Sequence, residues 1–173
     1  MKYLSNETLT LRALEPEDLD LLYQVENDTE SWWVGAQSSP YSKFVLREYL
    51  SQVTNDIYTD KQLRLVAMKN TDQEPVALVD LFNFSPAHHR AELGLLILPQ
   101  HRHKGFARQI VGLIEQFAKE HLQMHQIVLY TPCAHESTFG LFQSLGYKER
   151  HLLKDWVLLP SGYADAWLLQ KIL

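Results

Sequence analysis

The chain has 173 residues, of which 46% are hydrophobic and 21% are charged, and these values are typical of one globular domain with a core of its own. We therefore expect a single domain over residues 1–173. The formal net charge of -5 argues against the broad basic surface of a nucleic-acid-binding protein and suits a small cationic partner better.

A strand and two helices are predicted in the first part of the chain. Leu9–Ala13 alternates apolar and polar side chains with the two-residue period of a half-buried strand. Residues 15–18 combine Pro with acidic side chains, which favours the start of a helix directly after them. Residues 27–41 have no clear periodicity and predict a loop or a broken helix. Ser42 can cap a second helix, whose apolar residues recur at helical spacing as far as Ile57.

Strands dominate the middle of the chain. Segments 63–69, 76–84 and 91–98 have strand-like composition, and the short turns between them predict an antiparallel meander. Apolar residues over 105–121 trace one face of a long helix. Segment 127–131 is then a strand parallel to 91–98, because a helical crossover is what parallel pairing requires.

A shorter helix and two strands complete the chain. The helix is predicted over 136–146, where a glycine suits the position that follows a helix, and the strands over 147–158 and 163–172. Together the elements predict an α/β (α+β) domain with a mixed, mostly antiparallel sheet of about seven strands flanked by about four helices.

The turn between strand 91–98 and the long helix is rich in basic residues. Arg102, Lys104 and Arg108 concentrate positive charge in an otherwise acidic chain, and Gly105 permits close approach of the backbone. Backbone N–H groups and the positive end of the helix could bind a diphosphate at this turn. An ordinary strand-to-helix connection with solvated basic side chains is the alternative interpretation.

The same turn carries a family signature. Arg102, Gly105 and Ala107 resemble the acyl-CoA signature of the GNAT N-acetyltransferase superfamily, which has Gln or Arg, two residues, Gly, one residue, then Gly or Ala. Gly146 and Tyr147 stand where the family usually has Gly-Phe, and the predicted order of elements is similar to the family's over nearly the whole chain. The resemblance implies the GNAT fold and acetyl transfer from acetyl-CoA to an amine.

Two further segments resemble one particular branch of the superfamily. Residues 78–81 (LVDL) and 89–93 (HRAEL) resemble the spermidine and diamine acetyltransferase branch, which shades into the ribosomal-protein N-terminal acetyltransferases. This implies a polyamine or another small primary amine as acceptor. A protein N-terminal α-amine is the alternative acceptor, and a catalytically degenerate acyl-CoA-binding or sensing module is the alternative class. The resemblance is also compatible with a homodimer, although no stretch of the sequence identifies its interface.

The resemblance also implies where acetyl-CoA binds. Strand 91–98 would splay from strand 127–131, and the pantetheine arm would lie in the cleft between them, bonded to the backbone of Leu96, Ile97 and Leu98. The diphosphate is expected on the turn residues Arg102, His103, Lys104, Gly105, Phe106 and Ala107. The dipole and the free N–H groups of a helix N-terminus favour the same placement independently.

One position departs from the family pattern. Many members carry Asn, two residues, Ala, two residues, Leu-Tyr, three residues, then Gly-Phe, and the Tyr protonates the departing thiolate. His135 aligns with the Asn and Phe142 with the Tyr, so both are expected beside the cofactor and the usual general acid is absent. Cys133 and His135 are candidate replacement donors, although a structural role is the stronger interpretation of each, and Tyr130 and Tyr147 are weaker candidates.

A carboxylate is expected near the acetyl carbon, because the acceptor amine must lose a proton before it attacks. Glu92 and Asp80 are the catalytic candidates, since both fall on central strands, where burying a charge without a purpose is costly. The alternative is that each points to a solvated face of the sheet, which the two-residue period alone leaves open.

Acidic and aromatic residues also cluster after the first helix. Glu26, Asp28 and Glu30, with Trp32 and Trp33, could form an acidic, aromatic-walled mouth that attracts a cation. A solvated helix end with two core aromatic residues is the alternative interpretation. Three histidine pairs have spacings seen at metal sites, but no cysteine or carboxylate completes a set, so we expect surface histidines and no metal: His88 with His89, His101 with His103, and His121 with His125.

The compartment is predicted from the N-terminal segment and the cysteine content. MKYLSNETLT lacks the basic and apolar regions of a signal peptide, and no stretch approaches the roughly 20 apolar residues of a membrane span. Cys133 is the only cysteine, so no intrachain disulfide can form. The sequence predicts a cytoplasmic protein with no membrane partner.

Overall fold

One mixed β-sheet forms the centre of the computed structural model, which describes residues 3–29, 31–32 and 39–173. Its strands are β1 Leu9–Ala13, β2 Leu63–Lys69, β3 Pro75–Ser85, β4 Arg90–Ile97, β5 Gln126–Pro132, β6 Lys148–Leu159 and β7 Gly162–Ile172. They lie in the order β1-β2-β3-β4-β5-β7-β6, and β4 and β5 are parallel neighbours while the other neighbours are antiparallel. The predicted mixed sheet is confirmed.

Five α-helices lie within the described residues. They are α1 Leu19–Glu26, α2 Lys43–Gln52, α3 Ile57–Asp60, α4 Phe106–Glu120 and α5 Glu136–Ser144. The cap predicted for α2 is confirmed, because the hydroxyl of Ser42 accepts a hydrogen bond from the N–H of Val45 at 3.2 Å. None of the helices in these described ranges has the length and apolar character needed to cross a membrane.

The prediction that the second helix continues to Ile57 is wrong. α2 ends at Gln52, because Val53 adopts an extended backbone with φ -62° and ψ 126°. Ile57 instead begins the separate helix α3, which Asp56 caps by accepting a hydrogen bond from the N–H of Tyr58 at 3.1 Å. Short polar side chains favour caps and turns over helix interiors, so the polar residues before Ile57 interrupt the apolar periodicity.

The sheet has an apolar core on each face. Helices α4 and α5 cover one face, where Ile110 and Ile114 of α4 belong to the same cluster as Leu81 and Ile127 of the strands. Helices α1 and α2 cover the other face over a smaller cluster, which consists of Leu14, Leu22, Leu46, Val66, Met68 and Leu78. Burial on both faces accounts for the nearly continuous apolar runs of β2 and β3.

A buried ion pair anchors the start of α1 to β1. Asp18 accepts hydrogen bonds from Nη1 and Nη2 of Arg12 at 2.7 and 2.9 Å, and from the N–H of Glu15 at 2.8 Å. Burial alone would raise the pKa of Asp18, but these hydrogen bonds outweigh it and hold the pKa below its ordinary value. The carboxylate therefore stabilises the fold above that ordinary pKa, and the contribution is lost as the pH falls through the lowered value.

Asp18→Asn removes this charge, and we expect the free energy of unfolding at neutral pH to fall by about 1–3 kcal/mol. The difference from the wild type should shrink in acid, where the wild-type carboxylate itself takes up a proton. Urea unfolding at a series of pH values measures both effects. The control is Asp20→Asn, since the Asp20 carboxylate is 83% exposed in its pair with Lys43 and should contribute less than about 1 kcal/mol. Equal losses in the two variants would contradict an anchoring role for Asp18.

Candidate active site

Strands β4 and β5 separate after a short stretch of pairing. Both strands are fully described, and three residue pairs join them, of which the last is Glu92 with Val128. Beyond this pair β4 runs on to Ile97 and β5 to Pro132, and the sheet leaves their facing backbone groups unpaired. The predicted splay is confirmed, and a gap opens in the middle of the sheet.

The backbone of β4 presents Ile97 to this gap. Leu98 donates its N–H to the carbonyl of Val76 on β3 at 2.9 Å, and the polar groups of successive strand residues point to opposite sides. The groups of Leu96 and Leu98 therefore point to β3, which differs from the expectation that both bond to the pantetheine arm. Of the three expected residues, Ile97 is the one whose groups point to the gap. The side chain of Arg102 contacts the same residue, because its Nε donates a hydrogen bond to the carbonyl of Ile97 at 3.2 Å.

The turn after β4 enters α4 through a left-handed glycine. Gly105 has φ 80°, and a Cβ atom built on it would have no heavy atom within 4 Å, so the space in front of the helix is open. Within the described chain, the N–H groups of residues 103–105 donate to no backbone carbonyl, and no side chain caps α4. The positive end of this 15-residue helix and these N–H groups form a site suited to an anion.

The side chains of the turn divide between solvent and core. Arg102, His103 and Lys104 are exposed, whereas Phe106 and Ala107 at the start of α4 are half-buried. The side chains of His103 and Lys104 are therefore available to an anion at the helix end, and Arg102 keeps its Nη groups for this role while its Nε donates to Ile97. Phe106 packs against the main core. Among the described residues, no three His, Cys, Asp or Glu side chains are grouped in a way that could hold a metal ion.

His101 ties the turn to the connection between β2 and β3. Its Nε2 lies 3.0 Å from Oε1 of Glu74, and its ring meets Phe106 edge-on. The prediction of a surface histidine is wrong here, because His101 is 4% exposed and its two partners offset the cost of burying an imidazole. Lys69 lies 2.6 Å from the same carboxylate and lowers the pKa of Glu74, which keeps that partner ionised.

Asp80 and Glu92 lie on one face of the sheet. Phe82 stands opposite Glu92 in the β3–β4 ladder, and residues that are opposed in a ladder or two apart in a strand share a face. It is the face covered by α1 and α2, because Leu78 belongs to their core cluster. The carboxylate of Glu92 accepts a hydrogen bond from Nδ2 of Asn83 at 3.0 Å. The two predicted catalytic carboxylates therefore point to the same side.

A cavity of about 570 Å³ opens on this face, between the sheet and α1 and α2. Among the residues that the structure describes, its aromatic lining consists of Trp32, Tyr41, Tyr49 and Phe82. Leu95 of β4 also lines it, so the cavity reaches the strand that borders the gap. An elongated apolar or weakly polar chain with a charged end fits such a lining.

Arg64 also lines this cavity, and the sequence analysis did not identify it as a site residue. Its Nη1 lies 2.6 Å from Glu26 and its Nε lies 2.7 Å from Oδ1 of Asp80, which also accepts a hydrogen bond from Gln62 at 2.9 Å. Burial would lower the pKa of Arg64, but Asp80 and Glu26 outweigh it and raise the pKa. Two carboxylates and one guanidinium leave one net negative charge. The available sequence signal was an arginine inside the apolar run of β2.

Two residues of the acidic and aromatic cluster after the first helix lie at the larger cavity. Glu26 and Trp32 both line the cavity, and Nε1 of Trp32 donates to the backbone carbonyl of Glu26 at 2.9 Å. Asp28 accepts a hydrogen bond from the hydroxyl of Ser31. The other two members of the predicted mouth lie outside the described residues: Glu30 and Trp33.

A smaller cavity of about 210 Å³ lies where β4 and β5 begin to part, and Glu92 and Tyr130 line it. The ring of Tyr130 stacks on Trp156 at 5.4 Å. Burial and the charge of Glu92 raise the pKa of Tyr130, although Arg90 opposes them. The phenol of Tyr130 therefore stays protonated at neutral pH.

Three other candidate proton donors lie around α5, near Phe142: Cys133, His135 and Tyr147. Phe142 is 5% exposed and meets the ring of Tyr147 edge-on at 5.2 Å. Tyr147 is buried as well, and burial together with Glu115 raises its pKa. Burial also raises the pKa of Cys133, so this thiol keeps its proton at neutral pH. His135 occupies the N-cap position of α5, just beyond the end of β5.

Most of the chain matches one protein family. Residues 8–148 match the domain described as Acetyltransferase (GNAT) domain. The chain belongs to the GNAT acetyltransferase family. The resemblance drawn from Arg102, Gly105 and Ala107 is thereby confirmed, and the protein is an acetyl-CoA-dependent N-acetyltransferase.

GNAT enzymes of known acceptor are among its relatives. It is 28% identical over 162 residues to spermidine N(1)-acetyltransferase of Vibrio cholerae serotype O1, with 92% of this chain and 90% of the relative covered. The structure of spermidine N-acetyltransferase from Vibrio cholerae in complex with CoA and spermine superposes with a TM-score of 0.85, at 26% identity and 96% coverage of both chains. A dodecameric structure of that enzyme gives a TM-score of 0.83 at 27% identity, covering 96% of this chain and 95% of the other.

If the turn binds the diphosphate, acetyl-CoA should raise the melting temperature of the wild type by ligand linkage. Gly105→Asp places a carboxylate in the open space in front of α4 and should abolish this shift, because like charges repel and the helix end no longer meets the phosphates. Gly105→Asn is the matched control, since Asn has the same size, tolerates the left-handed backbone and carries no charge. It should retain part of the shift. Unchanged affinity for CoA in a folded Gly105→Asp variant would refute this placement.

Proposed function

We propose that this GNAT enzyme transfers the acetyl group of acetyl-CoA to a primary amine of a polyamine or of another small cationic amine. The observation that carries the proposal is the larger cavity, whose aromatic walls surround Glu26, Asp80 and Arg64. The net negative charge of these three groups attracts an ammonium ion. Aromatic faces bind cations and pack against methylene chains.

The relatives support the same class of acceptor. The Vibrio cholerae relative is named for spermidine, and its structure contains CoA together with spermine. The similarity extends over nearly the whole of this chain, so it includes the elements that build both the gap and the larger cavity. The overall charge of -5 also suits a cationic substrate.

For the cosubstrate, we assign the gap between β4 and β5 to the pantetheine arm and the turn at 102–107 to the diphosphate. Ile97 supplies backbone groups that point to the gap, as the hydrogen bond from Leu98 to β3 indicates. The open space at Gly105 admits phosphate oxygens to the N–H groups of the helix end. We also assign His135, at the N-cap of α5, and Phe142, within α5, to the cosubstrate side of the gap.

We assign Glu92 as the general base. Acetyl-CoA supplies the acyl group as a thioester, and Glu92 stands where β4 and β5 begin to part, on the acceptor face, with Asn83 holding its carboxylate. From there it can accept, directly or through water, the proton that the amine loses. Asp80 is engaged by Arg64 and Gln62, so we assign it to the binding of the acceptor's charge.

The side chain of Phe142 has no proton to give to the leaving thiolate, so we expect a lower rate of acetyl transfer. The pKa of a thiol is ordinarily about 8.5, so a thiolate can depart near neutral pH and take a proton from solvent. Loss of a general acid slows such a reaction by roughly 10²–10⁴-fold. We therefore propose a functional but slower enzyme rather than an inactive binding module.

We place this reaction in the cytoplasm. Cys133 is the only cysteine and is a free thiol, so the fold does not depend on a disulfide and is compatible with a reducing compartment.

Release of free thiol from acetyl-CoA over a panel of amines tests the proposed function. Spermidine and spermine should be acetylated faster than aminoglycosides or peptides with a free N-terminus. A preference for ribosomal-protein N-terminal peptides would identify a protein N-terminal acetyltransferase instead. Normal acetyl-CoA binding without thiol release for any amine would identify a degenerate binding module.

Glu92→Gln should lower turnover at neutral pH by roughly 10²-fold, because the amine then has no base to take its proton. The loss should be smaller at higher pH, where more of the acceptor is already neutral. Steady-state rates across a pH series measure this, with Asp80→Asn as the comparison, which should raise the KM for the amine more than it lowers kcat. A loss in Glu92→Gln that is uniform over pH would indicate a structural or substrate-binding role.

A further inference from the structure

His101 is a buried polar side chain that the proposed chemistry does not use. It is 4% exposed, and it directly precedes the turn at 102–107 to which we assigned the diphosphate. Its backbone N–H donates to the carbonyl of Leu98 at 2.8 Å, so its backbone is fixed just beyond the end of β4. Burying an imidazole is costly unless its polar atoms are bonded, so the partners of the ring indicate what it does there.

The side chain of His101 joins the two ends of the turn to each other. Its ring meets the ring of Phe106 edge-on, with 5.9 Å between the ring centroids. Phe106 is the first residue of α4, and residues 102–105 lie between the two rings along the chain. This contact therefore fixes the point where the chain enters the turn relative to the point where α4 begins.

Glu74 fixes the same ring to the body of the sheet. Nε2 of His101 lies 3.0 Å from Oε1 of Glu74, and Nζ of Lys69 lies 2.6 Å from the other carboxylate oxygen. Lys69 and, to a smaller extent, His101 lower the pKa of Glu74, so the carboxylate is ionised at neutral pH and can only accept. Nε2 of His101 is therefore the donor, and it ties the turn to the connection between β2 and β3.

The residues between His101 and Phe106 have an unusual backbone. His103 and Gly105 are both left-handed, with φ 60° and 80°, and a residue other than glycine rarely adopts this conformation unless its surroundings impose it. Left-handed residues in a turn direct successive N–H groups toward one anion. The N–H groups of residues 103–105 donate to no backbone carbonyl of the described chain, so the shape of the turn depends on its two fixed ends.

We propose that His101 is a positioning residue, which holds the turn at 102–107 in the conformation that binds the diphosphate of acetyl-CoA. The assignment rests on the proposed placement of the diphosphate at this turn. With both ends fixed in the free protein, the diphosphate meets N–H groups that already converge. Without the bond to Glu74, acetyl-CoA must itself order the turn, and its affinity falls by that cost. Glu92 lies nearer the start of β4, so the chemical step should not change.

Glu74→Ala tests the assignment from the more exposed partner, whose side chain is 43% exposed, so the core stays packed. The dissociation constant of CoA, measured by titration calorimetry, should rise about 10-fold, which corresponds to one hydrogen bond to a charged group. Asp72→Asn is the matched control, because it removes a negative charge from the same lysine, Lys69, and leaves the bond to His101 in place. It should bind CoA as the wild type does. Equal losses in the two variants would overturn the assignment.

Two variants of His101 test the ring itself. His101→Leu keeps an apolar contact with Phe106 and cannot donate, so it should weaken CoA binding as much as Glu74→Ala. The two losses should not add in the double variant, because each single change breaks the same bond. His101→Gln supplies an amide N–H in place of Nε2 and should restore most of the affinity. Additive losses would mean that His101 and Glu74 act separately, which contradicts the assignment.

Two fragments of the cosubstrate separate positioning of the turn from a general structural role. ADP keeps the diphosphate and lacks the pantetheine arm, whereas S-acetylpantetheine keeps the arm and the thioester and lacks the diphosphate. In Glu74→Ala and His101→Leu, affinity for ADP should fall by the same factor as affinity for CoA. The kcat/KM for S-acetylpantetheine and the kcat with saturating acetyl-CoA should stay unchanged. Equal losses with both fragments would indicate a general structural role and overturn the assignment.

The binding measurements need no acceptor, so they remain decisive if the proposed function fails. A wild type that acetylates no amine and still shows these losses would refute the proposed function and support the role of His101. Abolished CoA binding in Gly105→Asp, together with wild-type affinity in Glu74→Ala and His101→Leu, would overturn the role of His101 alone. Unchanged CoA affinity in Gly105→Asp would refute the placement of the diphosphate and the role of His101 with it.

Discussion

The short pairing between β4 and β5 is the constraint on which the rest of the site depends. Each of these strands is paired on its other side along most of its length, β4 with β3 and β5 with β7, so the two halves of the sheet are separately braced. Three residue pairs hold the halves together. Buried backbone N–H and C=O groups are costly when they lack hydrogen-bond partners. A ligand with amide groups can bond to the unpaired groups beyond these three pairs. The same divergence places the turn and the N-terminus of α4 at the far end of the gap.

The alternation of side chains along the strands then divides the proposed chemistry between two faces. The carboxylates Asp80 and Glu92 lie on the side of α1 and α2, where the larger cavity would receive the proposed acceptor. Phe142, the position of the absent general acid, lies on the side of α4 and α5. The bonds that form and break would lie between them, in the plane of the sheet. A slip of one residue in β4 would turn the side chain of Glu92 to the opposite face of the sheet.

The sequence predicted what depends on local pattern and missed what depends on tertiary partners. Apolar periodicity and turn residues located all seven strands, and the signature at Arg102, Gly105 and Ala107 identified the family. The facing of Glu92 stayed open because it is decided by the β3–β4 ladder. Burial of His101 could not be predicted, since its partner Glu74 lies on another connection. The role of Arg64 likewise depends on carboxylates from α1 and β3.

Among the described residues, the charged groups that line the larger cavity are Glu26, Arg64 and Asp80. Glu26 and Asp80 contribute two negative charges and Arg64 one positive charge, so one ammonium ion brings the group to neutrality. A second ammonium in the same space would leave an excess positive charge away from bulk water, which is unfavourable. A polyamine acceptor would therefore be held by one charged nitrogen, with its reacting nitrogen neutral at Glu92 and any remaining ammonium groups outside in solvent. On the proposed function, the chain length between the first two nitrogens, rather than the total charge, would then rank the acceptors of this cavity.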